Sequence, residues 1–95
     1  MAAAQFDLSI LTPARAVFVG KVEYVQVPGS EGYLGVLAHH AALVTEVAAG
    51  TLTVRVPGGD ERQWQVSGGF FEVADNRATV LADEASGDEA ESQQD

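Results

Sequence analysis

The sequence predicts an all-β domain, either a sandwich or a barrel. Apolar runs of about four to seven residues recur along the chain, and turn residues (Gly, Pro, Asn or Asp) separate them at roughly eight to twelve positions. Apolar and polar side chains alternate within several runs, most clearly at Leu52, Val54 and Val56, as expected for a half-buried strand. No internal repeat or heptad pattern is present.

The first part of the chain contains three predicted strands. Residues 6–10 alternate apolar and polar side chains, and a Thr-Pro pair ends the run. Residues 16–19 form a short apolar run that a glycine ends. Residues 22–27 carry apolar side chains in both phases, so either both faces of this strand are covered or a bulge shifts its register.

The second part contains five more predicted strands. Residues 43–47 form a short one, and residues 51–56 and 63–66 flank a Pro-Gly-Gly-Asp sequence typical of a hairpin turn. A Ser-Gly-Gly sequence then interrupts the chain before residues 70–73. An Asp-Asn turn leads to the last predicted strand, residues 78–81.

The chain has 95 residues and a formal net charge of −9, which is concentrated near its C-terminal end. Residues 83–95 contain six acids and no base, whereas residues 1–82 contain eight acids and five bases. We therefore expect a folded domain over residues 1–83 and an acidic, disordered tail over residues 84–95. A tail that binds a basic partner is the alternative.

Composition also excludes several classes of function. A chain without cysteine has no disulfide, iron–sulfur or thiol-based site. The negative charge argues against nucleic acid and anionic lipid, because both require clustered Lys and Arg. No run of about 18 apolar residues occurs, and the first residues lack the pattern of a signal peptide, so we expect neither a membrane span nor a leader.

Residues 29–45 form the most unusual segment, because it is apolar, opens with three glycines in seven positions and carries His39 and His40 side by side. A metal site is disfavoured, since adjacent side chains of an extended chain point to opposite faces and only Glu31 and Glu46 are near as further ligands. Ser30 lacks the motif around a nucleophilic serine. We therefore expect a loop that presents a contact surface.

Two other features allow both a functional and a structural interpretation. Gly68-Gly69 could suggest a phosphate-binding loop, but it leads into an apolar strand rather than a helix, so we expect a tight bend between sheets or close packing against a neighbouring backbone. Trp64 could stack on a sugar, but a single tryptophan that alternates with glutamines favours a core or rim position. A catalytic interpretation has almost no support from these residues.

Several short motifs occur in a fixed order through the body of the chain, at residues 12–13, 17–20, 22–32, 34–37, 40–43, 50–52, 67–73 and 80–83. Together they resemble the N-terminal domain of the epsilon subunit of F-type ATP synthase, over nearly the whole of residues 6–83. The resemblance implies a flattened β-sandwich of about ten short strands. It implies neither catalysis nor a cofactor.

The resemblance also implies a role and partners. The expected protein is a central-stalk subunit that binds the gamma subunit and the membrane rotor ring of c subunits, and so couples proton flow to ATP synthesis. It is expected as a peripheral part of that hetero-oligomeric complex at the cytoplasmic face of the bacterial cell membrane. The residues expected at the ring are Glu31, Gly32, Tyr33, Leu34, His39 and His40.

Two departures from the family pattern matter. Ala42 stands where the family usually has proline, so the loop loses one fixed φ angle. Residues 85–95 stand where the family continues with a two-helix domain that inhibits ATP hydrolysis, so we expect no inhibition by that route. The alternative interpretations are a free-standing β-sandwich module that binds a sugar or peptide through Trp64 and Tyr33, and a hydrolase that uses Ser30 or the histidines.

Overall fold

The computed structural model describes residues 3–87, which form eight β-strands. The strands are β1 (Phe6–Leu11), β2 (Ala16–Val22), β3 (Tyr24–Gly29), β4 (Gly32–Leu37), β5 (Leu43–Glu46), β6 (Gly50–Arg55), β7 (Glu61–Ala74) and β8 (Arg77–Gly87). No helix occurs within that range, and hence none long and apolar enough to cross a membrane. The predicted all-β class is confirmed, with eight strands rather than about ten.

The strands form one continuous sheet in the order β2-β1-β8-β7-β6-β3-β4, with β5 paired to β7. Neighbouring strands are antiparallel except β1 and β8, which are parallel. The described residues extend over 35 × 33 × 20 Å, so the sheet has folded over on itself into a flattened body.

The sheet bends over on itself within β7. One edge of β7 pairs with β8 along almost its whole length, while the other edge pairs with β6 over residues 61–66 and with β5 over residues 70–73. Between these two pairings, Gly68 and Gly69 have positive φ angles of 73° and 114°. The predicted bend between sheets is therefore confirmed, and it lies inside one continuous strand rather than between two strands.

The buried side chains of β7 change phase at the same place. Trp64 and Val66 are buried before the glycine pair, and Phe71 and Val73 are buried after it. Because side chains alternate along a strand, two buried sets of opposite phase mean that the strand passes from one layer to the other. Layer 1 contains β2, β1, β5 and the parts of β8 and β7 that pair with β1 and β5. Layer 2 contains β4, β3, β6, the first part of β7 and the C-terminal end of β8.

The core between the layers is built entirely from apolar side chains. Within residues 3–87 the buried set contains no polar or charged residue. Its largest members are Trp64, Phe6, Phe71, Leu8 and Ile10. Burial of such side chains is the main stabilising contribution in a domain of this size, which lacks disulfides.

The run 22–27, predicted as one strand with apolar residues in both phases, belongs to two strands. Val22 ends β2, Glu23 lies at a bend, and β3 begins at Tyr24. The buried positions therefore shift from Val22 to Val25 without a bulge. Neither of the two explanations considered from the sequence was right.

The last strand extends beyond the predicted domain boundary. β8 continues to Gly87, and its residues 84–87 pair with residues 64–67 of β7. Within residues 84–87 only Ala85 packs against the core. The composition of this segment therefore resembles that of a polar tail, although its backbone pairs with β7. The rest of the predicted tail, residues 88–95, lies outside the described residues.

Candidate functional site

The sequence suggested a single loop over residues 29–45, but the structure does not show one. These residues contain a hairpin tip at Ser30 and Glu31, then β4, a second loop over residues 38–42, and most of β5. The six residues of β4 span roughly 17 Å. The predicted contact residues therefore form two groups at opposite ends of β4: Glu31, Gly32, Tyr33 and Leu34 at one end, and His39 and His40 at the other.

The hairpin tip is a two-residue turn closed by the Gly29–Gly32 pair of β3 and β4. Gly32 has a φ angle of 124°, a region that favours glycine. Beside the tip, 56% of Tyr33 is exposed, and its hydroxyl accepts a hydrogen bond from the Thr51 backbone N–H at 3.1 Å. The tip therefore presents a tethered aromatic ring and an exposed carboxylate, that of Glu31.

Two tyrosines explain why glycines occur in the neighbouring strands. A Cβ atom on Gly35 would lie 2.6 Å from the Tyr24 hydroxyl oxygen, and one on Gly50 would lie 2.7 Å from that of Tyr33. Each ring thus lies across the backbone of an adjacent strand, where only glycine leaves room. Of the three glycines that suggested a loop, Gly35 is therefore a strand residue covered by an aromatic side chain.

The histidine end is held by the turn between β7 and β8. His39, at φ 65°, donates its backbone N–H to Asn76 Oδ1 at 2.7 Å, and Asn76 Nδ2 donates to the Gln5 carbonyl oxygen at 3.1 Å. His40 Nδ1 donates to the Ala41 carbonyl oxygen at 2.8 Å, since a carbonyl only accepts. Within residues 3–87 no group of three metal-ligating side chains comes together.

The most distinctive surface lies elsewhere, on the outside of layer 1. Leu11, Leu81 and Phe70 lie side by side on adjacent strands, because Leu81 pairs with Leu11 of β1 and with Phe70 of β7. Phe70 is 53% exposed and Leu81 is 49% exposed. Together with Pro13 these residues form the outer apolar patch, which lines an open concavity of about 690 Å³.

Sequence reasoning missed this patch although a signal was present. Each of the three strands carries two consecutive apolar residues, Ile10-Leu11, Phe70-Phe71 and Val80-Leu81. One residue of each pair is completely buried, so the other faces outward. Three neighbouring strands that each carry two consecutive apolar residues therefore indicate an apolar outer surface. This can be recognised only once the strand order is known.

Trp64 does not provide a platform for stacking a sugar. It is only 1% exposed, and its ring centroid lies 5.6 Å from that of Phe18. The Arg62 guanidinium carbon lies 5.5 Å from the Trp64 ring centroid and 5.4 Å from that of Phe18. The free-standing binding module that the sequence left open thus loses one of its two proposed contact residues.

Comparison with known proteins gives consistent matches. A family model described as the ATP synthase delta/epsilon chain beta-sandwich domain matches residues 5–87. The ATP synthase epsilon chain of Desulforamulus reducens is 47% identical over 78 residues, which cover 82% of this chain and 58% of that relative. The chain therefore spans little more than half the length of this relative.

Solved structures of ATP synthases contain the same fold. A chain of the Euglena gracilis mitochondrial ATP synthase (OSCP/F1/c-ring) superposes with a TM-score of 0.84 at 30% identity, covering 92% of this chain and 56% of that one. A chain of the Tetrahymena thermophila mitochondrial ATP synthase central stalk and c-ring gives a TM-score of 0.73 at 13% identity, and so shows the fold alone. It covers 92% of this chain and 69% of that one.

Proposed function

Since the chain belongs to the delta/epsilon β-sandwich family of ATP synthase, we propose that it is a non-catalytic subunit of the central stalk of a proton-translocating F-type ATP synthase. In this role it binds the gamma subunit and the membrane rotor ring, and so helps to couple proton flow to ATP synthesis. It acts as a peripheral part of the complex at the cytoplasmic face of the bacterial cell membrane.

The outer apolar patch is the observation that carries this proposal. Phe70 and Leu81 expose about half of their surface on the outer face of layer 1. Contiguous apolar surface of this kind marks a protein interface on a soluble domain. We assign the gamma subunit to this patch, because it offers more apolar area than the hairpin tip.

The hairpin tip is the proposed contact with the rotor ring. Tyr33 and Leu34 offer partly exposed apolar surface, and Glu31 can pair with Lys or Arg on the loops of the ring. An exposed ion pair contributes only about 0–1 kcal/mol, so shape and the burial of Tyr33 provide most of the affinity. His39 and His40 remain a separate predicted contact at the other end of β4.

The proposal is tested by co-expressing the chain with the gamma subunit of the same ATP synthase. We expect the two proteins to co-elute from a size-exclusion column at micromolar concentration. Separate elution of two folded proteins would contradict the proposal.

A further inference from the structure

Two carboxylates flank the outer apolar patch. Glu46 of β5 pairs with Phe70, so the row Leu11–Leu81–Phe70–Glu46 crosses four adjacent strands and is roughly 14 Å long. Asp83 lies two residues beyond Leu81 on β8 and covers Gly68, where an added Cβ would collide with its Oδ2 atom. Both acids are exposed, and both line the concavity of the patch.

The surroundings of the patch are negative on both sides. The residues that line the concavity include these two acids and no Lys or Arg. The groove next to it, on the Asp83 side, is lined by Arg15, Asp83 and Glu84, so two acids and one base lie along it. The ion pair between Lys21 and Asp7, 3.2 Å apart, lies further along β1 and β2.

We infer that Glu46 and Asp83 are specificity residues, which select a partner segment whose apolar side chains are flanked by Lys or Arg. The inference rests on the proposed function and adds the charge that the gamma segment must carry at this face. Charges at the rim of an interface act mainly on the association rate and on the rejection of like-charged partners. The apolar patch itself acts mainly on the dissociation rate.

The experiment measures association and dissociation rates of the purified gamma subunit with the full chain, at low and at moderate salt. Glu46→Gln and Asp83→Asn should each lower the association rate about two- to fivefold at low salt, leave the dissociation rate nearly unchanged and weaken the salt dependence. Glu46→Lys should lower the association rate by about tenfold or more. Because both side chains are exposed, the melting temperatures should match that of the unaltered chain.

Glu61→Gln is the matched control, because it removes the same charge from an exposed site on layer 2, opposite Arg55. If Glu46→Gln and Asp83→Asn change the association rate no more than this control, only net charge matters and the inference is wrong. If the unaltered chain does not bind gamma at all, the proposed function itself fails. The two failures are therefore distinguishable within one series of measurements.

Discussion

At the scale of single residues, Gly69 is the position where the bend depends most on the absence of a side chain. Its φ angle is 114°, and a Cβ would collide with the Leu81 carbonyl oxygen and lie 2.8 Å from the Leu81 carbonyl carbon. Both obstacles are backbone atoms of β8, which cannot move without breaking the pairing with β7. Gly69→Ala should therefore lower the free energy of unfolding by about 3 kcal/mol or more, measured by urea denaturation.

Gly58→Ala provides the control for that substitution. Gly58 also has a positive φ angle, 100°, but an added Cβ there meets nothing within 4 Å. Gly58→Ala should therefore lower the free energy of unfolding by about 1–2 kcal/mol, from backbone strain alone. Equal losses at the two positions would show that the close approach of β7 and β8 contributes nothing.

Asn76 joins three segments that are distant in the sequence. Its side chain accepts from the His39 N–H and donates to the Gln5 carbonyl, and its φ angle of 61° is one that glycine also adopts. Asn76→Gly thus keeps the turn and removes two hydrogen bonds, so it should cost about 1–2 kcal/mol in chemical denaturation. Asp75→Gly is the control, since within the described residues the Asp75 side chain makes no such bonds; an equal loss there would contradict this role.

At the scale of elements, the C-terminal end of β8 is a paired strand although its composition is that of a polar tail. Residues 84–87 pair with residues 64–67, and Ala85 packs on the core. A chain ending at residue 83 should therefore be less stable than one ending at residue 87 by about 2 kcal/mol or more, through lost backbone pairing and lost cover of the core. The midpoint of thermal or urea unfolding measures the difference, and identical midpoints would show that this end of the strand is dispensable.

Alternation of polar and apolar residues made most strands predictable, and the glycine pair of β7 made the bend predictable. The segment around β4 could not be predicted in the same way. Gly35 looks like a loop residue until the Tyr24 ring is seen to lie across it, and that contact depends on the pairing of β3 with β4. The outer apolar patch was missed for the same reason, because Leu11, Phe70 and Leu81 become neighbours only through the strand order.

At the scale of the whole molecule, the sandwich has two outer faces of different character. Layer 1 carries the outer apolar patch with its acidic rim. Layer 2 carries Tyr24 and Tyr33 together with polar side chains such as Gln65, whose Nε2 atom donates to Thr51 Oγ1 at 2.9 Å. The proposed central-stalk role requires different surfaces for gamma and for the ring, and this asymmetry is the reason to propose gamma at layer 1 and the ring at the hairpin tip.

That proposal can be tested with two leucines on opposite faces, each of which exposes about half of its surface or more. Leu81 lies in the outer apolar patch, while Leu37 is 60% exposed at the end of β4 in layer 2. Leu81→Ser should weaken binding to the gamma subunit by about tenfold or more, chiefly through faster dissociation, because it removes apolar contact at the centre of the interface. Leu37→Ser should leave gamma binding unchanged. Surface plasmon resonance measures the affinity and dissociation rate of both variants. A stronger effect at Leu37 than at Leu81 would place gamma on layer 2 and overturn the assignment of the outer apolar patch.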